Sequence, residues 1–324
     1  MKRVLKVVAF VLVALVVVGL GVYAWASIAA SRKLSRSYAA HTVDFPIPFP
    51  LPEEEVRRLA LTPESAKLLA RDRALERGRH LIESRYACTE CHGRDFGGGV
   101  MVDDPAIGRL LGPNLTAGKG SRTAGFRPAD WDRAVRHGIL RDGRPSLMPS
   151  VDFQRMSDRE LSDIVALVQS MPAVDKEVPR VALGPLGKAL VATGKIVLSA
   201  DAIAAHGDAP HAVYPPETAA TVDFGRHLAA TCMGCHGQDL AGGPIAGGDP
   251  AWPPAANLTP HAAGLAGWTA AQFTRAIREG KRPDGTALRA PMSGVVPYAV
   301  KMSDVEVEAL WKFLQSLPAV ASRK

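Results

Sequence analysis

The sequence predicts an all-α protein built as two tandem helical domains behind an N-terminal transmembrane helix. Three observations lead there. The 24 residues from Val7 to Ala30 carry no charge. One phrase is written twice, "YACTECHGRDFGGG" from Tyr86 to Gly99 and "ATCMGCHGQDLAGG" from Ala230 to Gly243, 144 residues apart. Apolar residues then recur at helical period, in the same order, after each copy.

The whole-chain quantities agree with this plan. A length of 324 residues suits two domains or one large one. Pro (25) and Gly (30) are abundant enough to favour short helices joined by long loops. The net charge of +7 is misleading, because residues 1–36 hold six basic side chains and no acid. The remainder has 33 basic against 32 acidic residues and is nearly neutral, which argues against a nucleic-acid partner.

The uncharged N-terminal run would make a helix about 36 Å long, enough to cross a hydrocarbon core of about 30 Å. Lys2, Arg3 and Lys6 precede it. A removable signal has a shorter apolar region of about 7–15 residues, so length favours an uncleaved anchor, although "AWAS" offers a cleavage site after Ala26. A buried globular helix would show a polar face, and none is present. Arg32, Lys33 and Arg36 follow the span and blunt any orientation argument from charge. Anchor and signal alike send the rest of the chain across a membrane, to the periplasmic side in a bacterium.

Each copy of the repeated phrase contains Cys-x-x-Cys-His: Cys88, Cys91 and His92, then Cys232, Cys235 and His236. These are all four cysteines of the protein. The spacing reads as a c-type haem attachment site. Two thiols three positions apart share a helical turn and can each add to a haem vinyl group, while the adjacent imidazole faces the iron. A zinc site would place its two C-x-x-C pairs about 15–20 residues apart. A redox dithiol does not require a histidine after both copies, and structural disulfides would not explain the histidines either. Two covalently attached haems c are therefore expected.

An electron-carrying iron is ordinarily six-coordinate, and methionine opposite histidine raises its potential. Met148 lies 56 residues after His92, and Met292 lies 56 residues after His236; both sit in Pro-containing loops, "SLMPS" and "RAPMSG". A second pair, Met156 and Met302, precedes Ser157 and Ser303. Those serines head capping boxes with Glu160 and Glu306, so this methionine pair reads as hydrophobic staples and Met148 and Met292 as the axial ligands. Met171, Met233 and Met101 read as core, motif and unmatched residues respectively.

The scaffold repeats as well. "ERGRHLIESRYAC" and "DFGRHLAATC" lead into the two motifs. Trp131, Ala134 and Val135, closed by Gly138, are echoed by Phe273, Ala276, Ile277 and Gly280. The last helix has Leu161, Ile164, Val165 and Val168, echoed by Val307, Leu310, Trp311 and Leu314. These are core stripes rather than sites. No alternating strand pattern is evident in either copy. His80 and His227, in the two "GRHL" segments, precede the motif on its own helix and are read as surface or packing residues. His41, His137, His206, His211 and His261 have no counterpart in the repeat, and an exposed polar role is the default for them.

On these motifs each half resembles a class I cytochrome c domain, over roughly residues 72–172 and 220–320. The whole is similar to membrane-anchored dihaem cytochromes c, including the cytochrome subunits that accompany bacterial periplasmic dehydrogenases. The resemblance implies that a proline carbonyl after the motif accepts a hydrogen bond from the proximal histidine. Pro113 in "LGPNLT" matches that role, whereas Ala256 stands at its place in "PPAANLT". The expected organisation is a membrane anchor or signal over 1–36, a Pro-rich stalk over 37–71, and a first cytochrome domain over 72–172. An interdomain strap over 173–219 and a second cytochrome domain over 220–324 follow.

The expected function is electron transfer through two haems, with His/Met ligation at His92 and Met148 and at His236 and Met292. Electrons would pass from a dehydrogenase or quinol donor to an acceptor such as a terminal oxidase, at the periplasmic face of the inner membrane. No nucleotide-binding Gly motif, no Ser/His/Asp arrangement and no spare cysteine is present, so no catalytic residue is assigned. Alternatives are a dihaem peroxidase or thiosulfate-oxidising enzyme, which needs a labile iron site, and an obligate cytochrome subunit of a larger complex.

Overall fold

The computed structural model describes residues 2–40, 43–203, 211–245, 248–249 and 251–323. His41 and His206 lie outside the described residues. The uncharged run forms one helix, α1 (Lys2–Leu34), whose valines and leucines are exposed along its length. It is long and apolar enough to cross a membrane. Only Ala26 and Ala30 near its C-terminal end are buried.

A short helix α2 (Glu53–Arg58) precedes the first domain. That domain consists of the leading helix α3 (Pro63–Leu81), the motif helix α4 (Cys88–His92), the middle helix α5 (Pro128–Arg136) and the closing helix α6 (Asp158–Ser170). Two further helices, α7 (Pro185–Thr193) and α8 (Ser199–Ala202), lie in the join. The second domain repeats the plan with α9 (Val222–Leu228), α10 (Met233–His236), α11 (Ala270–Glu279), α12 (Val296–Ala299) and α13 (Asp304–Ser316). Each domain has its own core, one around Trp131, Leu161 and Val165 and the other around Phe273, Val307 and Leu314. The predicted apolar stripes supply both.

In each domain the leading and closing helices cross at a glycine. A Cβ on Gly78 would lie 2.3 Å from the Asp163 carbonyl oxygen, and one on Gly225 would lie 2.0 Å from that of Ala309. Only a residue without a side chain lets the two backbones meet there. The closing helices start as the sequence indicates: Ser157 and Ser303 accept from the amides of Glu160 and Glu306, and each glutamate bonds back to its serine amide. Such a cap stabilises a helix by about 0.5–2 kcal/mol.

Three parts depart from the sequence expectation. Short strands do occur: β1 (Gly99–Asp104) and β2 (Gly108–Gly112) form an antiparallel hairpin, and β3 (Ala182–Leu183) pairs with β2. The hairpin is closed by Asp104, whose side chain accepts from the amides of Ala106 and Ile107. Its first strand is largely exposed, which is why no alternation marks it in the sequence. The Pro-rich segment is extended, but Phe45 and Phe49 are buried in the first-domain core and Ser162 donates to the Pro46 carbonyl at 2.6 Å. That part of 37–71 thus belongs to the domain instead of standing clear of it. The join is helical at 185–193, yet α7 packs on α1 and on β2 and β3 rather than lying across both domains. Lys33 of α1 donates to the Val191 carbonyl at 3.1 Å.

The helix crossings give a direct test. Gly78→Ala and Gly225→Ala must each push two backbones apart, so each is expected to cost about 1–3 kcal/mol. Thermal unfolding of the haem-loaded protein measures this.

Candidate haem sites

The chain enters the two motifs differently. A single π turn, Ile82–Tyr86, ends at Ala87 in the left-handed region (φ 47°) before α4, whereas a 3-10 turn, Ala229–Cys232, runs straight into α10. Either path puts the two cysteines and the histidine on adjacent turns. Gly93 (φ 78°) and Gly237 (φ 82°) then turn the chain away after each histidine.

Both imidazoles are buried. His92 Nδ1 donates to the Pro113 carbonyl at 3.1 Å, and His236 Nδ1 donates to the Ala256 carbonyl at 2.7 Å. The bond therefore survives the replacement of proline by alanine, because a backbone carbonyl supplies it. With Nδ1 carrying the proton, Nε2 presents the lone pair a metal needs. Burial holds both histidines below their usual range despite that bond, which keeps the rings neutral. Burial also pushes Cys88 up to about 12 and Cys232 up to about 11, so neither is a ready thiolate of the redox-dithiol kind.

The loop after each histidine is pinned by a residue type that the sequence offered only as part of a turn. Asn114 is fully buried; its amide donates to the Val174 carbonyl at 2.7 Å and its oxygen accepts from the Thr116 amide and hydroxyl. Asn257 does the same with Val320 and Thr259. The signal was the Asn-Leu-Thr triplet at matching places in both copies.

In the first domain the motif faces an apolar cavity. Cys88 and His92 line one side, and Phe96, Leu115, Ile164 and Val168 line the walls. Met148 and Met156 both reach this cavity. Met156 is 2% exposed and belongs to the core, while Met148 is half-buried in its loop. Met292 and Met302 are both partly buried against the second core. Trp131 also lines the first cavity, and its indole N–H is buried without a hydrogen-bond partner. A haem fits these residues: its apolar ring suits the walls, its iron the histidine and sulfur, and a propionate would satisfy the orphaned indole. In the second copy the aromatic pair is exchanged, with Phe273 in place of Trp131 and Trp268 in place of Phe126.

Comparison with known proteins agrees with this geometry. The family model described as cytochrome c matches residues 222–318, and that described as cytochrome c oxidase, cbb3-type, subunit III matches residues 73–168. Each stretch contains one copy of the motif. A "diheme cytochrome c-type" protein of Cereibacter sphaeroides is 24% identical over 260 residues, covering 72% of this chain and 82% of the relative. The chain is a dihaem cytochrome c. The cytochrome is also 26% identical, over 81% of its length, to the cytochrome c subunit of a quinone alcohol dehydrogenase from Gluconacetobacter polyoxogenes. It is 25% identical, over 76% of its length, to the fructose dehydrogenase cytochrome subunit of Gluconobacter japonicus. It spans 58% and 53% of those two relatives.

Each of the cytochrome's two motif regions packs against the other domain. The turn at Ser150–Asp152, just after Met148, packs on α10, and a Cβ on Gly234 would lie 2.1 Å from Asp152 Oδ1. Burial pushes the Asp152 carboxyl up to about 6. Reciprocally, α12, just after Met292, packs on the π turn that leads into α4. Tyr298 beside it donates to Glu90 inside the first motif, and Lys301 pairs with Glu83 at 2.9 Å.

Beneath these contacts lies a crossed set of ions. His80 of the first domain meets Glu306 of the second at 2.9 Å, and His227 of the second meets Glu160 of the first at 2.8 Å. Buried Arg85 bridges both glutamates, at 2.6 Å to Glu160 and 3.6 Å to Glu306. His80 and His227 are thus interface residues rather than surface ones, and equivalent residues exchange partners as they would across a twofold axis.

The interface makes stability depend on pH. The bond to Glu306 raises His80, although burial opposes it. Burial pushes Glu160 up, but His227, Arg85 and the Ser157 amide outweigh it and hold the carboxyl at about 2; Glu306 is likewise held low by His80 and the Ser303 amide. The histidine contribution is complete below about pH 6.5 and fades as pH rises through its raised value. The glutamate contributions are complete above about pH 4.3 and fade as pH falls. Thermal melts from pH 3 to 9 should show both limbs, and His80→Asn should converge on wild type at the alkaline end. Glu160→Ala, which leaves buried Arg85 and His227 without their nearer carboxylate, is expected to cost about 3–5 kcal/mol at pH 7.

Proposed function

We propose that the protein is the membrane-anchored cytochrome subunit of a dehydrogenase complex, relaying electrons through its two haems on the periplasmic side of the inner membrane. The observation that carries the relay is the reciprocal packing of each motif region against the segment that follows the other domain's methionine loop. Electron transfer weakens steeply with distance, and this arrangement brings the two attachment sites together. The relatives named as dehydrogenase cytochrome subunits favour an obligate subunit over a free-standing carrier. The apolar helix α1, with its exposed valines and leucines, is the part of the chain suited to anchoring.

Bound haem supplies the one-electron chemistry, the change between ferric and ferrous iron. The chain's own residues do the rest. Cys88 and Cys91, and Cys232 and Cys235, hold the groups covalently. His92 and His236 present neutral Nε2 atoms, oriented by the carbonyls of Pro113 and Ala256. Met148 and Met292 would hold the irons together with the histidines, and the apolar walls of the first-domain cavity exclude water. Met156 serves the core: its carbonyl accepts from Arg136 at 3.0 Å and its side chain is nearly inaccessible. The nearly neutral balance of residues 37–324 leaves partner choice to local surfaces rather than to a general field.

Two measurements test this. Met148→Ala and Met292→Ala should each lower one haem's potential by on the order of 0.1 V, a modest part of the roughly 0.8 V that axial ligands span. Each should also let that iron bind carbon monoxide when reduced. Unchanged potentials in both variants would move the assignment to Met156 and Met302. Affinity purification of the full chain from solubilised membranes should bring a dehydrogenase subunit with it, and substrate of that enzyme should reduce both haems. Recovery of the cytochrome alone from membranes that contain the dehydrogenase would overturn the subunit reading.

A further inference from the structure

A group of donors lies outside both haem pockets, where the join meets the first domain. Asp132 lies in the middle of α5 and His137 just past its C-terminal end, both fully buried, and His211 comes from the join. His137 Nε2 lies 3.0 Å from His211 Nε2. The Asp132 carboxylate lies 3.6 Å from each of them, Oδ2 toward His137 and Oδ1 toward His211. The two rings are inclined at 66°, so they converge tip to tip instead of stacking.

A tetrahedral zinc ion with bonds of about 2.0–2.2 Å keeps its donor atoms about 3.3–3.5 Å apart. The nitrogen–nitrogen separation of 3.0 Å is a little shorter, and the oxygen–nitrogen separations of 3.6 Å, which run to the two different carboxylate oxygens, are a little longer. We propose that Asp132, His137 and His211 bind a divalent transition-metal ion of the zinc type, which fastens the join onto the first domain.

Orientation favours it. Arg136, wholly buried, lies 2.7 Å from Asp132 and 2.8 Å from Asp158, so one guanidinium faces two carboxylates. Arg136 also fixes the Asp132 carboxylate, since its Nε donates to Oδ1 at 2.7 Å, in the manner of the outer contacts that orient metal ligands.

The neighbourhood gives the site a mechanical role. The carbonyls of Ala212 and Val213 accept from the amides of Asp158 and Arg159 at 2.9 and 3.0 Å, and Tyr214 packs edge-on against Phe49. The clasp would complete this seam. Gly138, next to His137, accepts from the Ser146 amide at 2.7 Å, so the same point anchors the base of the loop carrying Met148.

The test uses the full haem-loaded chain, stripped with a chelator and titrated with Zn²⁺ alone. Calorimetry and elemental analysis should give one zinc per two irons, and zinc should raise the melting temperature. His211→Ala, at a partly exposed position, should weaken binding at least tenfold and abolish the thermal shift, with unchanged haem absorbance showing that the fold persists. His137→Asn should behave likewise, and if it does not fold, His211→Ala decides alone. His261→Ala, an unrelated loop histidine, should bind zinc as wild type does. No zinc uptake by wild type, or uptake that His211→Ala leaves unchanged, would overturn the site and reduce the cluster to a hydrogen-bonded group. The result is independent of which partners exchange electrons with the haems.

Discussion

The arrangement of the two haem domains rests on two glutamates that each act twice. Glu160 and Glu306 complete the capping boxes that start the closing helices, and each also receives the histidine of the opposite leading helix. Arg85 lies between them in a site that water does not reach. An unbalanced charge there is costly, so the cluster tolerates little displacement of one domain against the other. It is placed directly beneath the contact of α12 with the first motif and of the Asp152 turn with the second. Fixing the ions fixes the separation of the two attachment sites.

Within each domain the controlling feature is simpler. The leading and closing helices touch backbone to backbone at Gly78 and at Gly225, and that crossing carries the motif on one side and the capped helix start on the other. The buried asparagines Asn114 and Asn257 then tie the loop after the motif to the segment following the closing helix. Three local devices, a glycine, a cap and an asparagine, thus recur at matching places and shape both domains. Where the copies differ, the change falls on chemistry that the backbone can replace, as with the carbonyls of Pro113 and Ala256. The exchange of Trp131 for Phe273 is different in kind, because it removes a buried N–H donor from the second site.

The N-terminal region is more integrated than its composition indicates. The phenylalanines of the Pro-rich segment enter the first core, and α7 of the join lies along the end of α1. The segments before and after the first domain therefore both belong to its surroundings, with His211 and the Asp132–His137 pair at the seam.

Much of this molecule was legible from local sequence. The haem motif is local because attachment needs two thiols and an imidazole within two helical turns. The capping boxes and apolar stripes are local because helix starts and helix faces have fixed periods. The duplication itself foretold two domains of one helical plan. What stayed hidden was every relation between the copies and the join. His80 and His227 read only as surface or packing residues because nothing near them in sequence supplies a partner; the partners stand 226 and 67 residues away. His137 and His211 were unremarkable singly, since a convergence of donors exists only once the chain has folded back on itself. Local chemistry determines which elements form and what each can hold, while long-range packing alone decides which charges face one another and where the two sites sit.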